Sequence, residues 1–196
     1  PAGKYGPVVV DQTGHFSFRD APGKRIRFFG PNLVGTANYL DKELADDFVT
    51  KATRLGYNTV RFHHFDNGLI DPNAPDSLTF DSRALDQLDY LFAELKKHGI
   101  YSCLDLYASR ELKPGDHIKE LEGRTSPEKF ILKRLIPLSK SAMDNWKEFA
   151  RRLLTHRNPY TGLTYAEDPA LYALNLVNEN SLVIIWRGWD PRGPLH

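Results

Sequence analysis

The sequence predicts an α/β fold built on a parallel sheet. Two observations carry this. Short β-branched or aromatic runs alternate in regular order with longer stretches whose apolar residues fall at helical spacing, the pattern of strands joined through crossover helices. The long polar loops follow the strands, while the first turns from helix into strand are short, so variable segments gather at the carboxyl ends of the strands.

The elements follow in order. Val8-Val9-Val10 and His15-Phe16-Ser17-Phe18 flank a turn at 11–14 and read as a β-hairpin, with a second turn at Ala21-Pro22-Gly23-Lys24. A strand opens at 25–29 and runs into Gly30-Pro31-Asn32. Asp41 is placed to cap a helix with the stripe Leu44, Phe48, Ala52 and Leu55, widened by Val49 and ended by Gly56. A strand spans 57–62, and a loop over 63–80 carries Asp71-Pro72-Asn73 and Ala74-Pro75-Asp76. Asp81 caps the next helix, whose stripe is Leu85, Leu88, Leu91, Phe92 and Leu95, and Gly99 ends it. A third strand spans 100–107. A charged loop follows at 108–139, with Ser126-Pro127-Glu128 as the start of a short helix. The third long helix, 140–156, turns Met143, Trp146, Phe149, Ala150, Leu153 and Leu154 inward, and Asn158-Pro159 and Thr161-Gly162 break the chain after it. The fourth strand spans 170–177. The organisation is one domain over 1–196: a hairpin to 24, four strand–helix units over 25–180, and a tail over 181–196. These patterns leave a doubly wound sheet and part of a closed (β/α)8 barrel both open. No glycine-rich phosphate fingerprint follows any strand, which counts against a dinucleotide fold.

Composition narrows the function classes. A formal net charge of +1 gives no basic excess for a nucleic acid and no acidic solvating run. The single cysteine, Cys103, stands in an apolar run and reads as a small buried side chain; it excludes a disulfide framework and a multi-cysteine metal site. No apolar stretch approaches the roughly 18 residues that span a bilayer, so no membrane partner is expected. The opening Pro1-Ala2-Gly3-Lys4 shows no signal peptide, and secreted and periplasmic locations are both compatible with the sequence.

Three places suit chemistry. In Leu174-Asn175-Leu176-Val177-Asn178-Glu179-Asn180 a hydrophobic strand runs into polar residues, and two-residue alternation sets Glu179 on the face of Val177 and Asn175. A carboxylate at a buried strand's mouth is desolvated on one side and suits a proton donor; the alternative is a polar turn leaving the strand. In Asn58-Thr59-Val60-Arg61-Phe62-His63-His64, Arg61 and His63 share a face. An arginine inside a parallel strand needs a partner, such as a carboxylate at a neighbouring strand end; the alternative is a rim salt bridge. Adjacent histidines on a strand point to opposite faces, so no metal is expected there. In Leu104-Asp105-Leu106-Tyr107, Asp105 is placed to bond Arg61 or a sugar hydroxyl, or to be tied to backbone. Phe65, Tyr107, Trp186 and Trp189 near these strand ends are available to stack on sugar faces or belong to the core.

Taken together these residues resemble the clan of retaining (β/α)8 glycoside hydrolases that includes the cellulase-like family 5. The matching elements are Lys24-Arg25-Ile26-Arg27-Phe28-Phe29-Gly30-Pro31-Asn32 as barrel strand one, Gly56-Tyr57-Asn58-Thr59-Val60-Arg61-Phe62 as strand two, and Asn178-Glu179 closing strand four. The resemblance implies the first half of a TIM barrel, with about four strand–helix units behind an N-terminal hairpin. It implies Glu179 as general acid/base, Asn178 on the sugar 2-hydroxyl, Arg61 steering the nucleophile's charge, and His63 or His64 bordering the sugar; Tyr107 and Asn32 join them as candidate substrate contacts. It implies a carbohydrate substrate and no cofactor. It also implies a second glutamate at strand seven, beyond this sequence: a whole barrel takes about 250 residues, and a retaining site needs two carboxylates roughly 5–5.5 Å apart.

Three readings follow. In the first, the chain closes its barrel by self-association as a dimer or higher oligomer, since four open parallel strands expose two edges. Asp105 or Glu111 of one copy then approaches Glu179 of the other, and Leu182-Val183-Ile184-Ile185-Trp186 is the candidate interface. In the second, the chain is a truncated, inactive hydrolase with at most sugar binding. In the third, it is an unrelated parallel α/β protein and Asn178-Glu179 is a coincidence. The first is the expectation carried forward.

Overall fold

The computed structural model describes residues 1–123 and 130–180. Strands β1 (Val8–Val10) and β2 (Phe16–Phe18) form an antiparallel hairpin. The chain then lays down β3 (Asn32–Val34), α1 (Lys42–Arg54), β4 (Thr59–His63), α2 (Ser82–Lys97), β5 (Tyr101–Asp105), a short α3 (Ile131–Leu135), α4 (Lys140–Thr155) and β6 (Leu171–Asn175). The sheet is parallel, with order β3-β4-β5-β6. That order is the chain order. A doubly wound sheet reverses direction at a switch point; here each strand adds beside the one before it, as in a barrel opened along one side.

The sheet has two unlike faces. Leu33, Phe62 and Leu104 pair across the ladders and are buried, together with Val60, against Leu88, Leu91, Phe92 and Leu95 of α2 and Phe149 and Leu153 of α4. The alternate row, Asn32, Arg61, Cys103 and Ala173, lies on the inner face. Cys103, expected as a small buried side chain, is only half-buried because it belongs to this inner row. At the amino ends of the strands an aromatic cluster closes the base. The Phe28 ring stacks on Tyr172 at 3.8 Å and meets Tyr101 edge-on at 5.6 Å, and Phe16 of the hairpin packs on Phe28. The hairpin therefore acts as a plug. The Ala2 amide donates to the Lys96 carbonyl and pins the chain start to the end of α2, and Lys96 Nζ bonds Asp168, just before β6, at 2.7 Å.

The expected caps are present. The Asp41 carboxylate accepts from the Leu44 amide and the Asp81 carboxylate from the Ala84 amide, and Gly56 and Gly99 end their helices at φ +77° and +83°. Other expectations need correction. Strand one begins at Asn32 rather than 25: residues 25–31 run beside β4 without a continuous ladder, because Pro31 has no N–H to give and Gly30 lies so near the Thr59 carbonyl that a Cβ would meet it at 1.7 Å. The buried stripe of α1 is Ala45, Val49 and Ala52, while Leu44 and Leu55 are exposed; the helix is turned by about one residue, so that small side chains face inward. In α4 the buried set is Ala142, Asn145, Phe149, Ala150 and Leu153, with Met143 and Trp146 partly covered. The fourth strand stops at Asn175, two residues short of the expected end, and its neighbour Leu174 is exposed on the edge. The helix start expected at Ser126-Pro127-Glu128, and the tail with Leu182–186, Trp186 and Trp189, lie outside the described residues.

Candidate active site

The carboxyl ends of β4, β5 and β6 converge on one guanidinium. Arg61 donates from Nε to Asp105 Oδ1 at 3.0 Å and from Nη2 to Asp105 Oδ2 at 2.9 Å. The same Nη2 donates to Asn178 Oδ1 at 2.9 Å. Asp105 has no exposed surface, whereas the Arg61 side chain is 31% exposed. A carboxylate so buried needs a counter-charge, and the planar fork of arginine supplies one with fixed geometry. The hydrogen bonds it donates to Asp105 hold the Arg61 guanidinium above its ordinary range. His63 Nδ1 bonds the same Asp105 oxygen. Of the readings open for Asp105, the structure thus gives the bond to Arg61; buried under that side chain, Asp105 presents nothing to a partner chain.

Beyond β6 the pairing continues through backbone bonds: the Leu106 amide donates to Asn175 and the Asn178 amide to Tyr107, both at 2.8 Å. This pins Asn178, which is buried, with Oδ1 facing Arg61. Its Nδ2 is buried and has no hydrogen-bond partner among the described residues.

Glu179 follows on a turn at φ +53°, and its side chain is 77% exposed, with Oε2 3.6 Å from the Lys133 ammonium. This corrects the sequence expectation. Strand alternation does not reach Glu179, because β6 ends at Asn175 and a left-handed residue redirects the chain; the one-sided desolvation expected of a strand-end carboxylate is absent. The left-handed region costs a non-glycine residue about 1–2 kcal/mol. His64, His117, Phe130 and Glu179, the non-glycine residues with positive φ among those described, all lie on loops leaving strand carboxyl ends. The turn at His64 also overrides the alternation expected of the histidine pair: the His63 and His64 rings meet edge-to-face at 4.1 Å. Burial, with His63 and Lys133 adding to it, pushes the His64 imidazole below its ordinary value.

The loops around this centre are knit to one another. Asp66, fully buried, accepts from the amides of Ala108, Ser109 and Arg110 and from the Ser109 hydroxyl, so the loop after β4 carries the loop after β5. Asn67 Oδ1 accepts from the Glu111 amide at 2.9 Å. The buried Arg110 donates to the Ser77 carbonyl and to Asn145, and its guanidinium lies 4.7 Å from the Phe149 ring centre. Lys113 Nζ donates to the carbonyls of Asp71 and Ala74. Between these loops opens a cleft of about 510 Å³, lined by Tyr39, His64, Asn67, Ser109, Glu111 and Phe130 among others.

Arg61, His63, Asp105, Asn178 and Glu179 therefore gather at one place, with His64 and Glu111 on the adjoining cleft. Asn32 is exposed beside Arg61 on the inner row. Tyr107 is corrected: it has no exposed surface, packs among Ile118, Leu132, Ile136 and Ala142, and donates its hydroxyl to the Arg110 carbonyl, so it supports the site from below rather than stacking on a ligand. Phe65 is likewise core. Sequence reasoning missed Asp66, Arg110 and Lys133. Asp66-Asn67-Gly68 is a turn signal directly after a strand, and Lys133 stands inside Ile131-Leu132-Lys133-Arg134-Leu135, whose apolar spacing already implies a buried lysine stem.

No family model matches the chain. Mannan endo-1,4-beta-mannosidase 5 of Arabidopsis thaliana is 24% identical over 147 residues, covering 70% of this chain and 32% of the relative. Among solved structures, the endo-1,4-beta-mannanase of Rhizomucor miehei superposes with a TM-score of 0.60 at 19% identity, covering 84% of this chain and 46% of that one. The glycoside hydrolase family 5 mannosidase of the same organism gives 0.67 at 16% identity, over 90% and 49%. The chain thus spans about a third of that curated relative and about half of the solved barrels. What it shares with them is the fold: the four parallel strands and the helices that cross between them match about half of a family 5 glycoside hydrolase barrel.

Proposed function

We propose that this chain is the acid/base half of a retaining β-glycosidase acting on β-1,4-linked mannan-type polysaccharides. The observation that carries the reading is the single guanidinium of Arg61 joining Asp105 on β5 to Asn178 beside Glu179. It fixes the amide next to the candidate proton donor and leaves Asn178 Nδ2 to donate to a sugar hydroxyl. Glu179, open to solvent at the mouth, protonates the departing glycosidic oxygen and then deprotonates the incoming water. Arg61 places positive charge under the position where a second carboxylate would stand. The similarity to mannan endo-1,4-beta-mannosidases supports a mannan as substrate.

The second carboxylate has to come from the other half of the ring. In the self-associated form it is supplied by a second copy, whose open sheet edges pair with those of the first. Asp105 is buried under Arg61, so Glu111, on the cleft, is the carboxylate that a second copy brings toward Glu179. The test joins two measurements: hydrolysis of an aryl β-mannoside by wild type and Glu179→Gln, and the particle mass at the same concentration. Turnover by an oligomer that is lost in Glu179→Gln supports the reading. Turnover by a monomer overturns the self-association, and turnover retained in Glu179→Gln overturns the assignment of Glu179. A non-catalytic sugar-binding half-barrel is the competing reading; mannan binding without turnover at any mass would establish it.

A further inference from the structure

Lys133 belongs to the loop after β5, far in sequence from β6, yet its ammonium stands 3.6 Å from Glu179 Oε2. Its side chain is only 10% exposed, with Nζ 5.0 Å from the Phe130 ring centre. A lysine this far from water needs a counter-charge. Among the described residues, the carboxylate that meets it is Glu179. The pair is asymmetric: the cation is packed in place, and the carboxylate is 77% exposed on a left-handed turn. The packed member fixes the exposed one. Left alone, a glutamate on such a turn samples several rotamers, whereas a proton donor must stay within hydrogen-bond reach of the oxygen it protonates. The His64 imidazole senses both charges, Lys133 lowering and Glu179 raising its proton affinity.

We infer that Lys133 is a positioning residue for Glu179, locking the orientation of the proton donor from the loop after β5. The inference rests on the reading of Glu179 as acid/base. It makes this loop, and not only the strand that carries Glu179, responsible for the rate. The α3 segment seats Lys133 through Leu132 and Ile136, which pack in the cluster around Tyr107.

The test uses Lys133→Met, which keeps the apolar stem, Lys133→Arg, which keeps the charge, and Glu179→Gln, all in the whole chain. On an aryl β-mannoside, Lys133→Met should lower kcat by about 10- to 100-fold, the loss expected when a reacting group drifts by about an ångström. KM should stay within about twofold, and Lys133→Arg should regain most of the rate. A second readout needs no turnover: the backbone amides of residues 178–180 should become more mobile by NMR relaxation in Lys133→Met and recover in Lys133→Arg. Unchanged kcat in Lys133→Met, with Glu179→Gln inactive, overturns the positioning role and leaves the acid/base reading standing. Full activity in Glu179→Gln overturns the acid/base reading instead. Unchanged order at 178–180 in Lys133→Met overturns the positioning role whatever the activity.

Discussion

Cutting the Arg61–Asp105 pair from its two ends should give unequal losses. Asp105 is wholly buried, with Arg61 and His63 as its charged or titratable partners. Arg61→Met removes the guanidinium and leaves that carboxylate facing only His63. Breaking a buried pair this way costs about 3–5 kcal/mol, because the surviving charge stays out of water. Asp105→Asn leaves the arginine, whose side chain is 31% exposed and can be rehydrated. The loss then approaches that of hydrogen bonds to a charged group, about 1.5–3 kcal/mol. Arg61→Met should therefore be the more damaging change by about 2 kcal/mol. Urea unfolding at pH 7, read by fluorescence with the slope m held constant between variants, measures this directly. Equal losses, or a larger loss in Asp105→Asn, would refute the claim that asymmetric burial governs the pair.

Two further outcomes follow from the same physics. Burial raises the Asp89 carboxyl above its ordinary 3.8 even though His156 and Tyr165 hydrogen-bond it. The native state then holds this proton longer than the unfolded chain, so Asp89 should cost the protein stability as pH rises from about 3.8 through the raised native value. Compared across pH 4–7, wild type should lose ground to Asp89→Asn as pH rises, and a difference independent of pH would contradict this. Burial, with the Asp105 carboxylate adding to it, pushes the Cys103 thiol up to about 11. At pH 8 a disulfide reagent should modify Cys103 at least about 100-fold more slowly than in the unfolded chain, whose thiol ionises near about 8.5. Equal rates would mean that the inner face of the sheet is open to solvent at that position.

Much of the scaffold was legible because its signals are local. Asp41, Asp81, Gly56 and Gly99 mark helix ends by capping chemistry that depends on a few neighbouring residues, and the structure places helix boundaries there. The stripe Leu88, Leu91, Phe92 and Leu95 is buried as its spacing implies. Errors came where tertiary contacts decide. Nothing in the spacing of α1 tells whether Leu44 or Ala45 faces the sheet, because both phases form a plausible stripe. The start of the first barrel strand was misplaced because Gly30-Pro31 interrupts the ladder while the chain still runs alongside β4. In the site, Arg61 and Asp105 could be read as a pair because a charge within an apolar strand demands one. The burial of Tyr107 could not be read, since an aromatic at a strand end is equally suited to a floor or to a ligand. The least legible feature was the Glu179 turn. A single left-handed residue undoes the alternation on which its expected orientation rested, and the lysine that meets it lies 46 positions earlier in the chain (Lys133 to Glu179).

The proposed role of Glu179 is to give and take the proton in a retaining hydrolysis. It is tested most directly by replacing the residue and supplying the missing chemistry. Glu179→Ala should lose about 10²–10⁴-fold in kcat on a substrate whose leaving group needs protonation. It should keep glycosylation of a dinitrophenyl β-mannoside, whose leaving group does not. Added azide, which attacks without a general base, should then restore turnover and yield the β-mannosyl azide, the anomer expected of two successive inversions. Turnover of the unactivated substrate unchanged in Glu179→Ala, or azide rescue giving the α-anomer, would contradict the account.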